Sequence, residues 1–120
     1  MHELSIAQSI LDIVYHAVPA DQQNLVRIVR LRLGEQAGVV PDSLEFSFTA
    51  LIAGTPLAAV RLEMEQIPYI IHCKICHATL RSEPGLRPCP ECGSVETQVL
   101  SGTELQITEI ELDDDHKEAP

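Results

Sequence analysis

Two cysteine pairs, Cys73-Lys74-Ile75-Cys76 and Cys89-Pro90-Glu91-Cys92, stand twelve residues apart in a chain of 120 residues, and they account for all four of its cysteines. A CxxC turn puts two thiolates on one side of a tight knuckle, and two facing knuckles supply the four sulfurs of a tetrahedral ion. Pro90 fixes a backbone dihedral inside the second knuckle, and Gly93 just beyond it permits the positive φ that turns amides toward sulfur. The spacing predicts a structural zinc site with Cys73, Cys76, Cys89 and Cys92 as ligands. Disulfides are the first alternative, but the N-terminus lacks the basic region and long apolar run of an export signal, so the expected compartment is the reducing cytoplasm. Cys73-x-x-Cys76-His77 satisfies the attachment pattern for a c-type haem, which would leave Cys89 and Cys92 without a role. A rubredoxin-like single iron would use the same sulfurs. The near absence of aromatic residues around the knuckles argues against it.

At this length the chain is one compact domain, or a domain with a small insert. Its hydrophobic fraction of 45% is ordinary, whereas aromatic residues make up 3% and tryptophan is absent, so the core is aliphatic. A formal charge of −10 repels nucleic acid and favours metal cations and basic protein surfaces as partners. No apolar run approaches the length of a membrane helix, which predicts a soluble protein.

Leu4, Ala7, Ile10, Leu11, Val14, Ala17 and Val18 recur at spacings of three and four and predict a helix over residues 4–18, ended by Pro19. Residues 25–33 read as a strand with Leu25, Val29, Leu31 and Leu33 inward and Arg27, Arg30 and Arg32 outward. Asp42 with Glu45 three residues on resembles a capping box, opening a helix whose stripe is Leu44, Phe48, Leu51 and Ile52, with Gly54 as its stop. Alternation returns over residues 57–67, with Val60, Leu62 and Met64 opposed to Arg61, Glu63 and Glu65. Strand, helix, strand favours parallel pairing through a right-handed crossover. A third strand covers residues 104–112, where the apolar phase slips between Ile107 and Ile110 as at a bulge. The expected fold is therefore α/β (α+β): two helices on a three-stranded mixed sheet. Its main domain comprises residues 1–67 and 102–112. Residues 68–101, with Pro68, Pro84, Gly85 and Pro88 marking linker and loop, form an inserted zinc-ribbon-like domain carrying the two CxxC knuckles, and residues 113–120 form a disordered acidic tail.

Met1-His2-Glu3 stands immediately before the first helix. A free terminal amine, the amide nitrogen of His2 and its imidazole can wrap one ion in fused chelate rings and leave an equatorial place open. Planar nitrogen donation suits nickel(II) or copper(II) better than zinc. The plainer reading is an exposed His2 and a Glu3 that complements the helix dipole.

The opening Met1-His2-Glu3-Leu4-Ser5-Ile6-Ala7, the run Leu31-Arg32-Leu33-Gly34 to Gly38-Val39, the Gly54-Thr55 turn, the paired knuckles with Cys92-Gly93-Ser94 and the closing Ser101-Gly102-Thr103-Glu104-Leu105 together resemble the HypA/HybF family of hydrogenase nickel-insertion proteins. The resemblance runs from residue 1 to about 112. It implies a nickel metallochaperone with a nickel domain and a zinc domain. His2 falls on the family's nickel ligand with Glu3 beside it, Met1 and backbone amides complete the site, and the four cysteines fall on the zinc ligands. Some members carry a histidine after each CxxC pair, associated with a change of zinc ligation; here His77 follows the first pair and Gly93 the second.

The function this implies is binding nickel(II) as cargo and delivering it to the large-subunit precursor of a nickel-iron hydrogenase, with urease and its accessory proteins as a second destination. No GxxxxGK[ST] loop is present, so nucleotide gating falls to the family's partner GTPase, HypB. The alternative from another class is a zinc-ribbon module in transcription or nucleic-acid assemblies, which the charge opposes. An enzyme is not expected, because four cysteines close a zinc shell that catalysis needs open.

Overall fold

The computed structural model describes residues 2–82 and 88–113. Along the chain α1 spans His2–Ala17, a 3-10 helix Ala20–Leu25, β1 Val26–Gly34, α2 Pro41–Ile52, β2 Arg61–Ile67, β3 Ile70–Cys73, β4 Thr79–Arg81, β5 Thr97–Ser101 and β6 Leu105–Leu112. The strands form two sheets, ordered β2-β1-β6 and β4-β3-β5. Two compact units share the chain: described residues 2–31, 39–64 and 107–113 in one, residues 32–38 and 65–106 in the other.

In the first unit α1 buries Ala7, Ile10, Leu11 and Val14, and α2 buries Leu44, Phe48 and Ile52. The helices pack on each other and join Val26, Val29, Leu31 and Leu62 in one largely aliphatic cluster, against which Ile107, Ile110 and Leu112 also pack. The opposite side of these strands is charged. Arg30 bonds Glu63 at 3.0 Å, Glu109 at 3.1 Å and Glu111 at 2.8 Å, flanked by the pairs Arg27–Asp113 and Arg61–Glu63. The Glu111 hydrogen bond raises the Arg30 pKa further, while Arg61 and then Arg30 hold the Glu63 carboxyl below its usual range. Such exposed pairs contribute little individually. They do report strand direction. Thr108 Oγ1 donates to the Arg30 carbonyl and the Asp113 amide to that of Leu25, so β6 is antiparallel to β1. Glu65 pairs with Arg32, and the Glu35 amide donates to the Ile67 carbonyl, rising in step as parallel strands do. The sheet is mixed, as expected.

Several boundaries differ from the sequence pattern for local reasons. Leu25 belongs to the 3-10 helix, and β1 starts at Val26. Val26 and Val29 both enter the core, so β1 slips phase as β6 does between Ile107 and Ile110. Ala17 is exposed, and Val18, whose amide still donates to the Val14 carbonyl, fills the core instead. Helix α2 is capped by Val40 with Pro41 at its first position, where a missing N–H costs nothing; Asp42 makes no cap and sits inside the first turn. Gly54, at φ 76°, follows the C-cap Ala53. Strand β2 begins at Arg61 rather than Leu57, because Thr55 Oγ1 donates to the Ile52 carbonyl and accepts the Leu57 amide, holding the preceding residues in turns from which Leu57 and Val60 are still buried.

In the second unit β3 is the central strand, antiparallel to β4 through Ile71↔Leu80 and to β5 through Ile71↔Val99. Glu35 joins two segments here: its carboxylate accepts the Tyr69 amide at 2.9 Å and pairs with Arg81. Gly34 and Gly102 meet backbone to backbone, with the Gly34 amide donating to the Glu104 carbonyl and the Gln36 amide to the Gly102 carbonyl. A Cβ on Gly34 would lie 2.1 Å from the Gly102 carbonyl carbon, and one on Gly102 2.5 Å from the Tyr69 Cα. Backbone cannot swing aside as a side chain can. Gly34→Ala is therefore expected to cost about 3 kcal/mol or more, measured as a lowered denaturation midpoint at unchanged slope; a stability equal to wild type would refute the close approach.

Asp113, read from sequence as the start of a tail, is tied by its amide to Leu25 and by its carboxylate to Arg27. Residues 114–120 of that tail, Pro84 and Gly85 of the loop, and Met1 lie outside the described residues.

Candidate metal centres

The four cysteine sulfurs come together within 4.8 Å of one another. Cys73 and Cys92 are 3.6 Å apart at sulfur, Cys76 and Cys89 3.7 Å. Four sulfurs around a tetrahedral ion at the usual metal–sulfur distance of about 2.3 Å would be ~3.8 Å apart, so the arrangement fits a soft tetrahedral divalent ion. The knuckles are built alike. The Cys73 amide donates to the Ala78 carbonyl and the His77 amide to that of Cys73; the Cys89 amide donates to the Ser94 carbonyl and the Gly93 amide to that of Cys89. Each knuckle ends on a left-handed residue, His77 at φ 64° and Gly93 at φ 78°. Glycine accepts that conformation without strain, whereas histidine does so at a cost of about 1 kcal/mol. The turns aim amides at sulfur, from Ile75 at 3.4 Å and Cys76 at 3.5 Å to Cys73, and from Glu91 at 3.3 Å to Cys89.

This geometry splits the thiols. The Cys76 and Ile75 amides bring Cys73 down to about 7. At Cys76 the Ala78 amide pulls down, but partial desolvation and the neighbouring sulfurs push the thiol up to about 12. Cys92 is raised too: the hydrogen bond from the Ser94 amide is outweighed by the Cys73 sulfur and partial desolvation. Crowded sulfurs cannot all ionise without a cation among them. Metal entry must displace the protons of the raised thiols. Zinc(II) titrated into chelator-stripped protein at pH 7 should therefore release protons, read as a heat that varies with the ionisation enthalpy of the buffer. Affinity should fall as pH falls, because protonation competes for sulfur. A buffer-independent heat would contradict the raised thiols.

At the other end of the sequence, α1 begins at His2, which is exposed. The first amides of a helix have no intrahelical acceptors, so those of His2 and Glu3 are not committed to the helix ladder. The Glu3 carboxylate accepts the Val40 amide at 3.1 Å, and this bond, followed by one from its own amide, lowers its pKa. Glu3 thus ties the start of α1 to the cap of α2. Beside it lies a cleft lined by Glu3, Asp42, Ser43, Phe46 and Ser47. Asp42 lines this cleft although its spacing to Glu45 fits a capping box; nothing local in the sequence distinguishes a cap from a cleft carboxylate.

The remaining histidines make plain contacts. His16 Nδ1 bonds the Asp12 carbonyl at 2.7 Å, and His72 Nδ1 bonds Thr79 Oγ1 at 2.9 Å, its ring centre 6.4 Å from that of His77. His116 lies outside the described residues. Among the described residues no helix is long and apolar enough to cross a membrane.

The family model described as hydrogenase/urease nickel incorporation, metallochaperone, hypA, matches residues 1–112. Similar relatives include the hydrogenase maturation factors HypA of Roseiflexus sp. (strain RS-1), 40% identical over 99% of this chain and 98% of that one, and of Streptomyces avermitilis, 42% identical over 95% and 88%. The solution structure of the nickel metallochaperone HypA from Helicobacter pylori superimposes with a TM-score of 0.62 at 16% identity, covering 92% of this chain and 97% of that one. A second solution structure of a HypA protein gives 0.65 at 18% identity, covering 93% and 96%. These likenesses show a shared fold. With a full-length family match and relatives near 40% identity, the chain belongs to the HypA family of metallochaperones for hydrogenase and urease nickel incorporation, maturation factors rather than enzymes.

Proposed function

We propose that the chain carries nickel(II) as cargo on its N-terminal segment, holds zinc(II) structurally in the four-cysteine site, and hands nickel to a nickel-iron hydrogenase large-subunit precursor in the cytoplasm, with urease as a second destination. Met1 through its amine, His2 through amide and imidazole, and the Glu3 segment form the nickel site, and Asp42 across the cleft is a carboxylate within the same surface depression. The partner GTPase HypB gates release.

The observation that carries this reading is the separation of two unlike donor sets. Four sulfurs are gathered on knuckles between residues 73 and 92, while residue 2, at the exposed start of α1, is a histidine. Sulfur in a closed tetrahedron retains an ion. Nitrogen donors at an exposed chain end, with one place left open, hold an ion while allowing an acceptor thiolate to enter before the donors leave. The experiment is metal analysis of protein with its native N-terminus: one zinc per chain that resists exchange, and one added nickel giving a yellow, diamagnetic adduct. A chain that takes zinc but no nickel would leave the zinc-ribbon reading in its place.

A further inference from the structure

The helices of the first unit contain no lysine or arginine: none occurs in residues 1–25 or 39–60, although the chain has 8 such residues. The same segments carry Glu3, Asp12, Asp21, Asp42 and Glu45. Arg27, Arg30 and Arg61 lie on the strands, where Asp113, Glu63, Glu109 and Glu111 answer them. The helical side is thus anionic, with no lysine or arginine of its own set against these carboxylates. Its most exposed large apolar residue is Phe46, at 76% relative exposure, standing in the cleft with Glu3 and Asp42; Val40 at the α2 cap is also exposed. Phe48, two positions on, is buried in the core, so Phe46 lies off the packing stripe.

We propose that the N-terminal half of α2, with Phe46 as anchor and Glu3, Asp42 and Glu45 around it, docks a basic protein surface whose apolar pocket receives the phenyl ring within a rim of Lys and Arg. Charge selects this occupant. A second copy on a two-fold axis would set carboxylates against carboxylates, and anionic lipid or nucleic acid would be repelled. A cationic rim gains attraction and orientation, and an aromatic anchor within it has the form of a binding hot spot. The proposal rests on the function above in one respect: a partner seated on Phe46 also covers the segment read as nickel-bearing, since Phe46 and Glu3 line the same cleft, and HypB, the partner named there, is the probe.

The test titrates nickel-loaded, full-length protein against purified HypB of the same organism at low and high salt. Phe46→Ser should weaken binding roughly 30-fold, and Phe46→Leu by less. Glu45→Lys should slow association several-fold and flatten its salt dependence. Glu96→Lys, an exposed charge reversal in the second unit, should change neither. Nickel binding is measured on the same samples, so loss of the docking surface and loss of the nickel site are read separately. Wild-type binding by both Phe46→Ser and Glu45→Lys would overturn the surface while leaving nickel carriage standing. Equal weakening by Glu96→Lys would reduce it to net charge. Concentration-dependent dimers abolished by Phe46→Ser would make the occupant a second copy, and no binding by wild type at either salt would overturn the partner class.

Discussion

His2→Ala is expected to lower nickel affinity at least ~100-fold while zinc content and thermal stability stay at wild type. Even groups that only hydrogen-bond to metal ligands cost 10- to 100-fold when removed, and this change removes a proposed donor atom together with a chelate ring. His2 is exposed at the first residue of α1 and takes no part in the core cluster of its unit, so its truncation removes no buried packing. Adding a residue before Met1 should do comparable damage by converting an amine donor to an amide. Glu3→Gln separates two roles, because its amide nitrogen survives while the carboxylate that accepts the Val40 amide is neutralised. Nickel titrations with zinc quantified in parallel check all three. Wild-type nickel affinity in His2→Ala would end the N-terminal assignment.

What the sequence disclosed follows the range of the forces involved. The stripe of α1 was legible because a single helix face repeats over four turns, and the core cluster contains Ala7, Ile10, Leu11 and Val14 as the spacing requires. The knuckles were legible because a CxxC turn is local chemistry, and their sulfurs converge. Strands β3, β4 and β5 were not, since segments as short as Ile70–Cys73 and Thr79–Arg81 have too few alternations to register; their pairing is visible only once the knuckles bring them side by side. The Gly34–Gly102 approach and the Glu3–Val40 bond were equally hidden, because each joins segments distant in sequence whose meeting depends on the whole fold. Asp42 shows a subtler failure. Its spacing to Glu45 fitted a cap, but Pro41 presets the helical φ one residue earlier, so the helix starts ahead of Asp42 and its carboxylate faces a cleft.

Cys89→Ser is expected to remove the structural metal and the order of the β4-β3-β5 sheet together. That sheet is small, and the buried cysteines beside it are Cys73 at the end of β3 and Cys89 in the second knuckle. Structural zinc supplies roughly 10–16 kcal/mol of apparent folding energy in comparably small modules, far more than three short strands gain from their own burial. The hydroxyl of serine is a harder, weaker ligand for such an ion, and the Glu91 amide that now meets the Cys89 sulfur would face a smaller oxygen on a shorter bond. The first unit should survive, because every residue of its core cluster, from Ala7 to Leu112, lies in residues 2–31, 39–64 and 107–113. Hydrogen exchange should therefore show amides of residues 70–81 and 97–101 unprotected while α1, α2 and the facing stretches of β1 and β6 remain slow. Chelation of the wild-type protein should reproduce the pattern, and readdition of zinc should reverse it. Global loss of protection in the variant would mean that the two units fold as one and that the metal stabilises the whole chain.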